Sequence, residues 1–267
     1  MDAWLVDLDH EDHDDHENHE DHDHGARHHT EHGLGDPRDG LTADERRRAA
    51  AFVRGEDARR FSRARRTVRR LLADRLGTAP RDVRIGYDDA GKPRLPDHPG
   101  THVSWSRSGP LLLVGATESG PLGVDVEIVR PEGARLDVLS FVYPAVPATA
   151  SPEVFFPAWT LLEAAVKATG RGLAEGAGEV RLAFPADGSV ALRGIDGHGT
   201  GPWHGHTVPV PARADAPGAS PWAMTAFVSP EARPPALLRG SAIGPGCAAR
   251  TAGGRRHAAG PPGGRRR

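Results

Sequence analysis

Cysteine is nearly absent. Cys247 is the only one in 267 residues, so no internal disulfide framework is possible. No apolar run approaches the ~20 residues needed to span a bilayer, and the acidic N-terminus is unlike a signal peptide. These absences point to a soluble, cytoplasmic protein. Lysine is scarce too: of 34 basic residues only Lys92 and Lys167 are lysine, and the rest are arginine. Arginine presents a rigid planar fork, whereas lysine offers a compact point charge with three rotatable donors, which suits a phosphate oxygen. Chance survival of two surface lysines is the plain alternative. Both, however, stand in unusual contexts, Gly91-Lys92-Pro93 and the run from Trp159 to Lys167.

What the chain has is unevenly distributed charge. Residues 1–40 hold 14 acids and 2 bases, leaving 22 acids and 32 bases for the remainder. A near-zero overall charge therefore hides a basic body behind an acidic arm. A basic body predicts an acidic partner: a nucleotide, a nucleic acid or an acidic protein surface. From His10 to His32 the chain is almost entirely His, Asp and Glu, with nine of the 15 histidines. Too few apolar residues occur there to fold alone, so 10–40 reads as an insertion in a surface loop. His10, His13, His16, His19 and His22 recur every third residue and would suit a divalent transition metal if they shared a helix face. An expansion without a selected role is the other reading.

Residues 3–8 read as a strand. Thr42 with Glu45 forms a capping-box pattern, so helices are predicted over 44–54 and 57–76. Eleven arginines fall between Arg46 and Arg70; most suit a solvated helix face, and a few suit an anionic ligand. Strands are predicted over 83–85, 101–106, 111–116 and 123–128, a helix over 155–169 stopped by Gly170 and Gly172, and short strands near 179–184, 189–193, 204–210 and 222–228. From about Pro230 onward the Pro, Gly, Ala and Arg composition reads as a disordered basic tail.

The chemistry concentrates in two segments. Gly123-Val124-Asp125-Val126-Glu127 alternates strictly, so in a strand Asp125 and Glu127 share a face, roughly 7 Å apart. Two such carboxylates repel unless a cation lies between them, and oxygen-only ligands favour Mg²⁺. A solvated edge strand is the competing explanation. On the 155–169 helix, Glu163 and Lys167 are four apart and share a face, which also describes an ordinary surface ion pair. The combination with a Gly-Lys-Pro turn is equipment for transfer at phosphorus.

At these residues the chain resembles the phosphopantetheinyl transferases, of the larger type that activates polyketide and non-ribosomal peptide synthetases. Gly123-Val124-Asp125-Val126-Glu127 matches the family's Gly-Val/Ile-Asp-Val/Ile-Glu strand. Trp159-Thr160-Leu161-Leu162-Glu163-Ala164-Ala165-Val166-Lys167, ending Gly170-Arg171-Gly172-Leu173, matches its Trp-Ser/Thr-x-Lys-Glu-Ala/Ser-x-x-Lys helix. Gly91-Lys92-Pro93-Arg94-Leu95 and Ser106-Arg107-Ser108-Gly109 correspond to its Gly-Lys-Pro-x-Leu and Ser-His-Ser-Gly segments. Three departures stand out: Leu162 replaces the first lysine of the helix motif, Arg107 replaces a histidine, and Phe141–Val146 only weakly matches a carrier-docking segment.

The resemblance implies an α+β fold of two similar halves related by a pseudo-twofold: 1–120 with the insertion at 10–40, and 121–229, followed by the tail 230–267. It implies transfer of phosphopantetheine from coenzyme A to a serine of an acidic acyl or peptidyl carrier protein, by a monomer needing neither nucleic acid nor membrane. Asp125, Glu127 and Glu163 would hold Mg²⁺, with Glu163 as base and Lys167 stabilising phosphoryl charge. Lys92, Pro93, Ser106, Arg107, Arg60 and Asp125 would bind coenzyme A. A weakened relative that only binds coenzyme A or carrier protein, and a metal-handling protein acting through the arm, are the alternatives.

Overall fold

The computed structural model describes residues 1–9, 40–130, 135–147, 152–198, 202–212 and 222–241. The His-rich stretch and the region beyond Ser241 lie outside the described residues. Within them the chain is a mixed helix-and-strand fold. Strand β1 (Asp2–Asp7) is followed by helices α1 (Ala43–Ala50) and α2 (Gly55–Leu76). The short hairpin β2 (Gly86–Tyr87) and β3 (Pro93–Arg94) leads to strands β4 (His102–Ser108) and β5 (Leu111–Thr117). Strand β6 (Gly123–Ile128) then precedes helices α3 (Leu136–Val142), α4 (Phe155–Thr169) and α5 (Gly172–Gly176). The hairpin β7 (Val180–Ala183) and β8 (Ala191–Ile195) is followed by β9 (His204–Pro211), β10 (Trp222–Ser229) and β11 (Leu237–Ser241).

One sheet runs β11-β1-β5-β4 and another β6-β10-β9. Setting β11 aside, both sheets have the same plan. The first strand in sequence pairs with the last, and the last with the middle one, always antiparallel. In each, a long helix and a two-stranded hairpin separate the first strand from the second.

Alternation along the strands builds three layers of core. Leu112, Val114 and Ala116 pack with Val68 and Leu72 of α2. Their neighbours Leu111 and Leu113 face the other way, onto Val124, Val126 and Phe227 of the second sheet. The far side of that sheet, through Ala226 and Val228, packs on Leu161, Leu162 and Ala165 of α4. The Thr42–Glu45 capping box forms as predicted, with both reciprocal bonds present. Gly170 closes α4 in the left-handed conformation at φ 75°, as its position after the last helical residue predicts.

Two expectations need correction. Residues 83–85 form no strand: a 3₁₀ turn over Pro80–Asp82 comes first and pairing starts at Gly86, the apolar signal reflecting burial of Val83 rather than pairing. Nor is the region from Pro230 structureless throughout. Strand β11 pairs in parallel with β1, from Ala3 opposite Leu237 to Asp7 opposite Ser241, satisfying backbone groups that β1 would otherwise leave open at a sheet edge. Among the described residues, no helix is long and apolar enough to cross a membrane.

Candidate active site

Two close approaches place the predicted carboxylates and lysine together. At Gly123 an added Cβ would lie 1.8 Å from the Ala164 carbonyl oxygen, so only glycine lets α4 lie this near β6. Strand alternation then turns Asp125 and Glu127 toward the helix, while Val124 and Val126 enter the core between the sheets. One turn of α4 sets Glu163 and Lys167 on the facing side.

The second approach joins the two sheets. Strands β4 and β6 run side by side, and alternate serines of β4 bridge the seam. Ser104 Oγ accepts from Val124 N at 3.1 Å, Ser106 Oγ donates to Asp125 Oδ1 at 2.6 Å, and Ser108 Oγ donates to Glu127 Oε2 at 2.8 Å.

Lys167 closes the cluster. Its Nζ donates to Asp125 Oδ1 at 2.5 Å and to Ser106 Oγ at 3.0 Å, and lies 3.8 Å from Glu163 Oε2. Asp125 is 1% exposed, and its second oxygen, Oδ2, is buried without a hydrogen-bond partner among the described residues. Burial pushes the Asp125 carboxyl up, opposed by the Lys167 ammonium and the Ser106 hydroxyl. Glu127 is pushed up to about 7, by burial first and then by the Asp125 charge, with the Ser108 bond opposing. Burial likewise raises Glu163, with Lys167 opposing.

Of this cluster Glu163 and Lys167 line a cleft of about 540 Å³, together with Arg48, Arg65, Tyr87, Lys92, Pro93 and Trp105. Sequence alone does not single out Arg65. Its guanidinium stacks over Phe61 at 5.2 Å, Trp105 at 5.2 Å and Tyr87 at 5.9 Å, and Nη1 is buried without a hydrogen-bond partner among the described residues. Its nearest carboxylate oxygen, on Glu45, is 3.7 Å from Nε. Arg65 is thus a largely buried cation held by aromatic faces on the wall of the cleft. No sequence signal separates it from the ten other arginines around it; the stacking partners on β2 and β4 become neighbours only in the fold.

The structure gathers some predicted site residues and disperses others. Glu163, Lys167, Lys92 and Pro93 line the cleft, Asp125 and Ser106 join it through their bonds to Lys167, and Glu127 lies next along β6 on the same face as Asp125. Lys92 turns inward: Nζ donates to the Leu122 carbonyl at 2.9 Å and to the carbonyl of Lys167. Burial pulls this ammonium down to about 8. Arg107 donates Nη1 to the Gly109 carbonyl at 3.1 Å and does not line the cleft. Arg60 lies in a different groove, with Arg59, Arg63 and Arg66, where it pairs with Asp9 at 2.9 Å and with Glu56. Leu162 is wholly buried in the core beneath α4, where hydrocarbon suits the surroundings and an ammonium would not.

Among the described residues, no three His, Cys, Asp or Glu side chains are gathered closely enough to hold a metal ion unaided. The donor set nevertheless fits a hard cation whose other ligands come from a bound substrate. Asp125 Oδ2 is a buried oxygen without a hydrogen-bond partner among the described residues, and Glu127 is raised by burial and by the Asp125 charge, both of which a cation would offset.

No family model matches the chain. Several curated 4'-phosphopantetheinyl transferases do. The 4'-phosphopantetheinyl transferase HetI of Nostoc sp. is 34% identical over 147 residues, covering 51% of this chain and 62% of HetI. A Bacillus subtilis 4'-phosphopantetheinyl transferase is 28% identical over 166 residues, covering 59% of this chain and 73% of the relative. Sfp of Bacillus subtilis is 27% identical over 164 residues, with the same two coverages, 59% and 73%. The chain thus spans less than two thirds of the length of HetI, and nearly three quarters of the two Bacillus proteins.

Proposed function

We propose that this relative of the 4'-phosphopantetheinyl transferases moves the phosphopantetheine arm of coenzyme A onto a serine of an acyl or peptidyl carrier protein. The observation that carries this reading is the Lys167–Asp125–Ser106 cluster beside Glu163, whose Lys167 and Glu163 line a cleft together with Arg48 and Arg65. One end of such a cleft suits a diphosphate under attack, and the other suits the phosphorylated ribose of the nucleotide.

Asp125, Glu127 and Glu163 would hold Mg²⁺ together with diphosphate oxygens. Bound there, the ion would neutralise the diphosphate and so favour departure of the nucleotide. Glu163, raised by burial above an ordinary carboxylate, would take the proton of the carrier serine, directly or through water. The serine oxygen then forms its bond to the pantetheine-bearing phosphorus, and the bond to the bridging oxygen breaks. Adenosine 3',5'-bisphosphate leaves with that oxygen. Lys167, oriented by Asp125 and Ser106, would stabilise the charge on the phosphoryl group being attacked. Lys92 would act through the backbone, fixing the last turn of α4 against the segment that precedes β6.

We also read the two sheets as halves related by a pseudo-twofold, 1–120 and 121–229. The shared strand order, with a long helix and a hairpin in the same place, supports that reading. The seam between β4 and β6 would be its axis region, and the proposed soluble, cytoplasmic monomer would contain the whole site.

The test is direct. Incubation with an apo carrier protein, coenzyme A and Mg²⁺ should raise the carrier mass by one phosphopantetheine group, with equimolar adenosine 3',5'-bisphosphate released. Binding of coenzyme A with no mass gain would instead establish a non-catalytic relative.

A further inference from the structure

We propose that Ser108 is a positioning residue for Glu127, setting the register of its carboxylate for the cation; this rests on the Mg²⁺-dependent transfer proposed above. The three seam serines do different work. Ser104 Oγ accepts from the backbone N–H of Val124 and so ties strand to strand. Ser106 reaches Asp125, which Lys167 also holds. Ser108 does both jobs with one hydroxyl: Oγ accepts from Ile128 N at 3.1 Å and donates to Glu127 Oε2 at 2.8 Å.

A serine hydroxyl has one proton to give, and its rotor follows the partners available. With the Ile128 N–H directed at the oxygen, the remaining proton points to the carboxylate. Ser108 therefore reads the β6 backbone and transmits that position to a side chain on the same strand. Glu127 depends on it more than Asp125 depends on Ser106. Among the described residues, Ser108 is the one hydrogen-bond partner of the Glu127 carboxylate, whereas Asp125 has both Ser106 and Lys167. Glu127 also has one more rotatable bond, so its oxygens wander further once released. Partners that orient a metal ligand are typically worth 10- to 100-fold in metal affinity.

The experiment uses the full chain with coenzyme A and no carrier protein, so that no turnover occurs. Mn²⁺ binding is followed by electron paramagnetic resonance in the wild type, Ser108→Ala, Ser108→Thr, Ser104→Ala and Glu127→Gln. All five share the same arm and the same free coenzyme A, so differences among them report the site. We expect Ser108→Ala to bind Mn²⁺ about tenfold more weakly and, in a separate assay with an apo carrier protein added, to need about tenfold more Mg²⁺ for half-maximal transfer. Ser108→Thr, which keeps the hydroxyl, should restore both. Ser104→Ala should lower the melting temperature without changing Mn²⁺ affinity.

Wild-type affinity in Ser108→Ala, beside weakened binding in Glu127→Gln, would overturn the role of Ser108 alone. So would equal losses in Ser104→Ala and Ser108→Ala, which would mean that any loosening of the seam suffices. Wild-type affinity in Glu127→Gln would overturn the cation reading itself. If Ser108→Ala does not fold, Ser108→Cys, close in size and a weak donor, is judged by the same criteria.

Discussion

Lys167 Nζ lies 2.5 Å from Asp125 Oδ1, while Asp125 Oδ2, on the same carboxylate, is buried without a partner among the described residues. One oxygen orients the lysine and, on the proposed reading, the other would reach the cation, so a single side chain would link the two charges that the proposed reaction needs. Asp125→Asn preserves size and shape but weakens both links. We predict a fall in transfer of about 100-fold or more at saturating Mg²⁺, since even an outer partner of a metal ligand is worth 10- to 100-fold. Glu163→Gln should be as damaging, through loss of the base. Circular dichroism should show both variants folded, and near-normal turnover in either would remove that residue from the mechanism.

Replacing Lys167 by arginine keeps the charge and changes its shape. The ammonium contacts Asp125 Oδ1 and Ser106 Oγ with one nitrogen, a point contact that a larger planar fork would make with its charge displaced. A misplacement near 1 Å costs on the order of 100-fold in rate, so Lys167→Arg should lose most of kcat with coenzyme A binding little changed. Retention of most activity would show that any cation suffices there.

Arg65 tests the other end of the cleft. If its unpaired Nη1 receives the 3'-phosphate of coenzyme A, Arg65→Leu should raise KM for coenzyme A about tenfold, the value of one charge-assisted hydrogen bond. The same variant should use 3'-dephospho-coenzyme A about as well as the wild type does. Equal losses on both substrates would instead mean that Arg65 supports the wall formed by Tyr87 and Trp105.

The chemistry-bearing segments are legible in the sequence because their signals are local. Strict alternation from Gly123 to Ile128 and helical spacing from Phe155 to Thr169, closed by Gly170, correspond to elements with those limits. The repeat of strand order is not legible, since pairing partners lie far apart in the chain. For the same reason β11 is hidden: Leu237-Leu238-Arg239-Gly240-Ser241 has no alternation, and its partner is β1 at the opposite end of the described chain. Arginines with different fates look alike. Arg60 and Arg65 are near neighbours on α2, yet one pairs with Asp9 and the other stacks beside the cleft. Residue type alone suggests Lys92 as a phosphate ligand, whereas two carbonyls claim its ammonium.

That inward lysine gives a pH signature. Its folded value of about 8 lies below the 10.5 of a free lysine, with burial as the main cause and Arg94 next. Below pH 8 both folded and unfolded chains carry the proton, and the cost of burying the charge is fully present. Between pH 8 and 10.5 the unfolded chain binds more protons, so this group makes stability rise with pH. A tenfold difference in proton affinity between the two states corresponds to about 1.4 kcal/mol. Lys92→Met should therefore lack a rise in melting temperature that the wild type shows between pH 8 and 10. Parallel profiles for the two proteins would refute the assignment.

The His-rich arm permits a last test, because the described residues at its borders make contacts within the described body. Asp9 pairs with Arg60 at 2.9 Å, and the Leu41 carbonyl accepts from Arg46 Nη1 at 2.9 Å, so both ends are tied to the helical face that precedes the hairpin. Replacing residues 10–39 by a short Gly/Ser linker should leave transfer of phosphopantetheine intact. Nine histidines among carboxylates offer ligands in excess, so the full-length protein should take up Zn²⁺ or Ni²⁺ that the deletion variant does not. Binding requires neutral imidazole, and retention should fall as pH drops through roughly 6. Calorimetry on the two proteins decides the matter. Equal Zn²⁺ uptake would dismiss the arm as a metal site, and loss of transfer on deletion would make it part of the enzyme.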